Sequence, residues 1–331
     1  MPTPKTNPAA IRQTDVSDFM PAANSIIDLI RTELIPHDAS LESAICQLEK
    51  AKPTPSFSCK TTRNATHYHR YMQKPNAPNV VLLHPLGGNC NNWIQIIEDL
   101  RSDYTIYAVD LPGHGKTTVQ VNTDHHNKYI NWLETFISDI AIESVHLVGF
   151  SFGGRIAAHY ADTHNDSVAS LTLFAPALSP ATTGLVAGQA WLIDHFAERT
   201  ADVIKRATIK LILKSMKTSD DEFVKTGLAI ASENLLLDQE PLNYTGITSS
   251  LRWLYDEPGD EINWASLAAH MPVNILFGEK DTYCPVEHSG LLNLPDLHLT
   301  LIPGRGHLLP LEEPAICEAA IRASVRGILY V

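Results

Sequence analysis

The residues whose types and spacing best suit chemistry form the pentapeptide Gly149-Phe150-Ser151-Phe152-Gly153. In a Gly-x-Ser-x-Gly pattern of this kind, a serine on a sharp turn between a strand and a helix presents its hydroxyl as a nucleophile. The apolar run 144–150 predicts a buried strand before the serine, and 154–161 favours a helix after it. A glycine-rich turn that only lets two elements pack closely is the structural alternative, so the serine needs chemical partners.

A serine hydroxyl is a weak nucleophile at neutral pH unless an adjacent base takes its proton. His307, in Gly-Arg-Gly-His after the last predicted strand, is the candidate base. Asp281 is the candidate acid that would fix the imidazole tautomer, and Glu279 is its rival.

Two backbone N–H groups are candidates for an oxyanion hole, which stabilises the negative charge that develops on an acyl oxygen. One belongs to Phe152, directly after the serine, and the other to Leu86 in the loop His84-Pro85-Leu86-Gly87-Gly88. Pro85 fixes its own φ and has no N–H, so this loop should be stiff. We expect His84 to brace the loop by hydrogen bonding rather than to react.

The chain order serine, acid, histidine resembles that of the α/β-hydrolase fold superfamily. Four further segments share the resemblance, which runs from about residue 80 to 314: the loop 84–88, Asp-x-Pro-Gly-x-Gly-x-Thr at 110–117, the acid loop 278–285, and Gly-x-Gly-His followed by Glu313-Pro314. It implies a triad of Ser151, Asp281 and His307. Members that open epoxides or cleave carbon–halogen bonds carry aspartate at the nucleophile position, so serine indicates acyl chemistry.

The elements that must position these residues alternate between strand and helix, which predicts an α/β fold with a mostly parallel sheet covered by helices on both faces. Strands are predicted near 80–84, 104–109, 144–150, 168–174, 273–277 and 297–302, and a helix lies within 130–140. Two strand-like pieces, near 57–59 and 67–72, predict an antiparallel edge ahead of the parallel strands.

Three parts of the chain are predicted. Residues 1–55 form an N-terminal helical extension, 56–176 and 266–331 form the α/β-hydrolase core, and 177–265 form a helical cap. An insertion of this length is too long for a loop, and the carboxyl ends of parallel strands are where such sheets bind ligands. Large side chains of the cap are candidates for the substrate pocket, although each also suits ordinary cap core: Trp191, Phe196, Leu213 and Trp253.

The composition favours an acidic enzyme with a small-molecule substrate. The 331 residues carry a net charge of −12, and Lys and Arg are scattered, which argues against a nucleic acid or an anionic membrane as partner. No apolar run approaches the ~20 residues needed to span a membrane, and the N-terminus lacks the pattern of a secretory signal. The five cysteines are widely spaced without a C-x-x-C, so we expect free thiols and a cytoplasmic location. A homodimer is possible.

No cofactor and no metal are expected. The sequence holds no phosphate-binding loop and no dinucleotide-binding fingerprint. His67-x-His69 and His125-His126 could suggest a metal site, but no cysteine or acidic partner completes a set of ligands.

The resulting prediction is a carboxylic-ester hydrolase for small, fairly apolar esters, with an acyl-enzyme on Ser151. The alternatives are a C–C bond hydrolase acting on ring-cleavage products, a thioesterase or an acyltransferase with the same triad, and a non-catalytic ligand receptor.

Overall fold

The computed structural model describes residues 58–62, 64–119, 127–178, 250, 253–254, 262–292, 294 and 297–330. The predicted N-terminal extension lies outside these residues, and so does most of the predicted cap. Both therefore stay predictions.

The described residues contain one eight-stranded sheet. Its strands are β1 (Ser58–Thr61), β2 (His67–Tyr71), β3 (Asn79–Leu83), β4 (Thr105–Val109), β5 (Val145–Phe150), β6 (Val168–Phe174), β7 (Val273–Gly278) and β8 (His298–Ile302). The spatial order is β1-β2-β4-β3-β5-β6-β7-β8. β2 pairs antiparallel with both β1 and β4, and every later neighbour pair is parallel.

Helices follow the strands in the order that parallel pairing requires. They are α1 (Ile94–Leu100), α2 (Asn127–Asp139), α3 (Phe152–Thr163), α4 (Trp264–His270), α5 (Leu309–Glu312) and α6 (Pro314–Val325). α3 and α6 both pack on β5 and β6, whereas α1 packs on α6 and α2 packs on α3. The two pairs therefore cover opposite faces of the sheet.

Burial explains why the central strands could be recognised. Val80, Val81, Leu82 and Leu83 of β3 have no exposed surface, and β4 and β7 are buried along their whole length. A parallel strand covered on both faces needs a continuous apolar run rather than alternation. The amphipathic α2 instead buries one stripe, which includes Ile130, Leu133 and Phe136.

The predicted fold class is confirmed, because each of the six predicted parallel strands lies within one residue of an observed strand at both ends. The antiparallel edge is also confirmed, as β1 and β2. Among the described helices, none combines the length and apolar character needed to cross a bilayer.

Candidate active site

Ser151 lies on the turn between β5 and α3 in a strained backbone conformation. Its φ of 52° and ψ of −114° are unusual for a residue with a side chain. The surrounding structure holds this conformation through the backbone: the Ser151 N–H donates to the Phe174 carbonyl at 2.9 Å, and the Ala177 N–H donates to the Ser151 carbonyl at 3.0 Å. The turn is therefore tied to the end of β6, and the serine hydroxyl is presented above the sheet.

The two glycines of the pentapeptide are required by close packing. A Cβ at Gly153 would overlap the carbonyl oxygen of Leu83 at the end of β3. A Cβ at Gly149 would lie 2.5 Å from the Gly153 carbonyl oxygen and 2.7 Å from the Gly154 nitrogen. The first turn of α3 thus approaches β3 and β5 more closely than any side chain would allow.

The structure brings together the three residues that the sequence singles out. His307 Nε2 lies 2.9 Å from Ser151 Oγ, and His307 Nδ1 lies 2.8 Å from Asp281 Oδ2. A carboxylate can only accept, so Nδ1 carries the proton and Nε2 presents a lone pair to the serine hydroxyl. Ser151 follows β5, Asp281 follows β7 and His307 follows β8, so all three lie at the carboxyl ends of parallel strands.

Asp281 is held as an ionised acceptor. Burial acts to raise its pKa, but the charge and hydrogen bond of His307, together with the N–H groups of Cys284 and Tyr283, lower the pKa below its usual value. Those two amides donate to Asp281 Oδ1 at 2.9 and 2.8 Å. Glu279, the rival acid, accepts instead from the Gly304 N–H at 2.8 Å.

The loop that carries Leu86 is braced as expected. The Leu111 N–H donates to His84 Nε2 at 2.9 Å, and His84 Nδ1 lies 2.8 Å from the Pro85 carbonyl oxygen. Burial, and then the neighbouring His114, lowers the pKa of His84 to about 3, so the ring is neutral and can serve as both donor and acceptor.

The backbone amides of Leu86 and Phe152 are available for an oxyanion. Within the described part of the chain, neither N–H is taken up by a backbone acceptor. Phe152 is the first residue of α3, where an N–H has no partner within the helix. Their assignment to an oxyanion hole stays a prediction.

Two residues near His307 are not predicted from the sequence. The Glu312 carboxylate accepts from the Gly306 and Leu308 N–H groups at 2.8 and 3.0 Å, which ties down the loop on both sides of His307. The Cys284 thiol contacts the Ser151 hydroxyl, and burial, followed by the charge of Asp281, raises its pKa well above the usual value. No sequence signal separates Glu312 from its neighbour Glu313, or marks Cys284 as a neighbour of the serine.

One of the four candidate pocket residues is described. Trp253 is 2% exposed and stacks on Tyr129 at 5.1 Å between ring centroids, with Phe152 and His159 against the same indole. The ring contacts protein side chains on these sides, and its place in a substrate pocket stays a prediction. Three candidates lie outside the described residues: Trp191, Phe196 and Leu213.

For His67 and His69, the reason for expecting no metal, that no cysteine or acidic partner completes a set, is wrong. Sheet pairing places Cys90 beside His69, with Sγ 3.5 Å from Nδ1, and Asp110 Oδ2 lies 2.7 Å from His67 Nδ1. A cysteine and an acidic residue therefore do lie next to His67 and His69, although they are distant in sequence. His125-His126 lies outside the described residues.

Comparison with known proteins identifies the fold family. A model of the alpha/beta hydrolase fold matches residues 78–314. The chain is 24% identical over 239 residues, 70% of its length, to the dihydrolipoyllysine-residue acetyltransferase component of the acetoin cleaving system of Pseudomonas putida, of which the match spans 59%. It is 35% identical over 94 residues, 28% of its length, to the pimeloyl-[acyl-carrier protein] methyl ester esterase of Aeromonas hydrophila, of which the match spans 36%.

The fold is also shared with solved structures. A thermophilic esterase from Thermogutta terrifontis superposes with a TM-score of 0.63 at 19% identity, covering 83% of this chain and 99% of that one. Because the family model covers well over half of the sequence, and the sheet and its turns agree with it, the chain belongs to the α/β hydrolase fold family.

Proposed function

We propose that this protein is a serine hydrolase that cleaves small, fairly apolar carboxylic esters through an acyl-enzyme on Ser151. The observation that carries the proposal is the continuous chain of hydrogen bonds from Ser151 Oγ through His307 to Asp281, at 2.9 and 2.8 Å. A nucleophile, a base and an orienting acid within hydrogen-bond reach of one another are the parts that acyl transfer needs.

In the first half of the reaction, Ser151 Oγ attacks the ester carbonyl carbon while its proton moves to His307 Nε2. The imidazolium that forms is stabilised by ionised Asp281, and the negative carbonyl oxygen is stabilised by the N–H groups of Leu86 and Phe152. Collapse of the tetrahedral intermediate expels the alkoxide, which takes the proton from His307. The acyl group stays on Ser151.

In the second half, His307 takes a proton from a water molecule, whose oxygen attacks the acyl carbon. The same two N–H groups stabilise the second oxyanion, and His307 returns its proton to Ser151 Oγ as the acid leaves. Apart from the ester and one water molecule, the reaction uses only these three side chains and two backbone amides.

The surroundings of the base support an apolar substrate. The rings of Phe150 and Tyr283 lie 5.4 and 5.2 Å from the imidazole of His307, measured between centroids. Aromatic rings packed on the imidazole shield it from water, and such surroundings suit an apolar acyl or alcohol group. The esterase names among the similar proteins point in the same direction.

The test is turnover of p-nitrophenyl acetate and butyrate by the purified full chain, together with labelling by a fluorophosphonate. We expect turnover, and a phosphonate adduct that mass spectrometry locates on Ser151. The Ser151→Ala variant should lose both, whereas Ser102→Ala, at an exposed serine, should keep both.

A panel of substrates separates the alternatives. Faster turnover of an acyl thioester or of a ring-cleavage product than of any ester would replace the proposed substrate class while keeping the nucleophile. A rapid burst of acylation without turnover in water, relieved by an added alcohol, would indicate an acyltransferase. Ligand binding without acylation would indicate a receptor.

A cytoplasmic location is proposed from the cysteines. Cys90, Cys284 and Cys317 are free thiols within the described residues, as a reducing compartment maintains them. Localisation of the tagged protein by fractionation tests this. The possible homodimer, the absence of a nucleic-acid or membrane partner, and the cofactor-free reaction stay predictions.

A further inference from the structure

Three buried side chains outside the active site lie close enough to share one ion. His67 and His69 stand on the same face of β2, and Cys90 begins the short 3₁₀ helix Cys90–Trp93. Their ligand atoms all lie within 4.8 Å of one another, and all three residues are buried. The ligand atoms of a tetrahedral zinc ion lie roughly 3.3–3.8 Å apart, so side-chain rotations that move atoms by about 1 Å would bring these three onto one centre.

Two members of the cluster are already in direct contact. Cys90 Sγ lies 3.5 Å from Nδ1 and 3.6 Å from Nε2 of His69. The rings of His67 and His69 are 5.3 Å apart between centroids, at an interplanar angle of 76°. Two imidazoles and a thiolate form the donor set that zinc and related borderline divalent ions prefer.

Asp110 supplies the outer contact that a histidine ligand usually has. Its Oδ2 lies 2.7 Å from His67 Nδ1, and its Oδ1 accepts from the Cys90 N–H at 2.7 Å. A carboxylate that accepts the Nδ1 proton fixes the tautomer and leaves Nε2 as the ligating atom. The same carboxylate therefore orients two of the three ligand residues.

Charge is also balanced in this buried region. A divalent cation would be neutralised by the thiolate of Cys90 and the carboxylate of Asp110, so the centre would carry no net charge. Burying an unbalanced cation would be costly, whereas a paired and coordinated one is tolerated. Binding converts the Cys90 thiol to a thiolate and releases one proton per ion.

We propose that His67, His69 and Cys90 form a structural site for Zn²⁺ or a related borderline divalent ion, with Asp110 as its outer-sphere carboxylate and water as the fourth ligand. The ion would join the antiparallel strand β2 to the chain directly after the loop of Leu86. Its role would be to hold that segment in place and not to take part in ester cleavage.

The experiment uses the full chain without a histidine tag, stripped of metal by a chelator and then titrated with Co²⁺ and Zn²⁺. We expect one equivalent of either ion to bind, one proton to be released per ion, and the Co²⁺ form to show a thiolate-to-cobalt charge-transfer band. Cys90→Ser should abolish the band and weaken binding at least ~10-fold, and Asp110→Asn should weaken binding by about 10–100-fold.

Cys317→Ser is the matched control, because it changes another fully buried thiol that lies on α6. It should keep the band and the stoichiometry. A folded wild-type protein that binds no Co²⁺, or a charge-transfer band that persists in Cys90→Ser, would overturn the proposal. Where Cys90→Ser does not fold, the wild-type spectrum and proton count decide alone. The readouts are independent of ester turnover.

Discussion

At the scale of single residues, Asp281 and Glu279 offer a direct comparison of two acids in one loop. Asp281→Asn should lower kcat by on the order of 10⁴-fold, because an amide in place of the carboxylate favours the wrong tautomer of His307. Glu279→Gln should leave kcat nearly unchanged, since that carboxylate accepts from the Gly304 N–H on the exposed side and does not reach His307. Steady-state kinetics with p-nitrophenyl butyrate checks both, and equal losses in the two variants would reject Asp281 as the orienting acid.

The thiol of Cys284 gives a second prediction. Burial and the charge of Asp281 raise the pKa of this thiol, so little thiolate exists at neutral pH although it contacts the nucleophile. Iodoacetamide at pH 7 should therefore leave esterase activity intact under native conditions. Inactivation that Cys284→Ala relieves would show that the thiol is reactive.

Single residues also show the limit of sequence reasoning. Ser151 and His307 could be predicted because each lies in a glycine-rich turn directly after an apolar strand. This pattern is uncommon in a sequence unless the turn carries a functional residue. Cys90 could not be linked to His69, because only the pairing of β2 with β4, and of β4 with β3, brings the two together. Contacts that depend on the order of strands in a sheet cannot be predicted from short sequence motifs.

At the scale of elements, the His307 loop depends on α5. Each oxygen of the Glu312 carboxylate accepts one N–H beside His307. Glu312→Gln can satisfy only one of these donors, so the loop should shift, and kcat should fall about 10–100-fold with little change in KM. Glu313→Gln removes the negative charge from the partly exposed pair with Arg305 and should have a small effect. Similar kcat values for the two variants would show that Glu312 does not position the base.

The close packing of α3 on β3 predicts that replacing Gly153 by alanine lowers the free energy of unfolding rather than raising it. Helix propensity alone would make Gly153→Ala stabilising by about 1 kcal/mol. The overlap of the new Cβ with the Leu83 carbonyl oxygen should instead make it destabilising, and turnover should be lost. Gly290→Ala, at φ 75° with open space around it, should cost only ~1–2 kcal/mol from its backbone conformation. Urea unfolding of both variants measures the difference, and a more stable Gly153→Ala would contradict the close packing.

Elements were the most predictable level of this structure. Buried parallel strands such as β3 and β4 are nearly continuous apolar runs, and polar or glycine-containing turns mark their ends. α5 was not predictable as a separate element, because its four residues are too few for a helical period and begin beside a proline. The choice between Glu312 and Glu313 as the inward acid depends on that short turn.

For the molecule as a whole, buried neutral histidines should determine the response to mild acid. Burial is the main cause that lowers the pKa of His84 to about 3, and of His114 and His146 to about 4. Between about pH 4 and 6.5 the unfolded chain therefore binds protons that the folded chain does not, so stability must fall as the pH falls. Each group contributes up to ~1.4 kcal/mol per pH unit in this window.

Denaturant unfolding from pH 7 to 4.5 measures this slope. His146→Gln should reduce this slope by an amount that corresponds to at most one bound proton. It removes one of the titrating groups and does not touch the loop of Leu86. The pKa of Asp110 is lowered from its ordinary value of 3.8 to about 2. Its protonation therefore changes the free energy of unfolding mainly at pH values below the range of this measurement. A free energy of unfolding that is flat across the window would contradict the neutral state of these histidines.

The direct pairing of β6 with β7 has a consequence for how this protein can change over evolutionary time. Leu171 to Phe174 of β6 face Val273 to Leu276 of β7, although about a hundred residues of chain separate the two strands in sequence. Because the pairing of these strands does not depend on their separation in sequence, we expect insertions and deletions between them to leave the inherited reacting groups on their strands. A gene library confined to residues 179–249, which spares Trp253 and its contact with Phe152, should therefore be able to alter which molecules are accepted while the ancestral reaction is preserved.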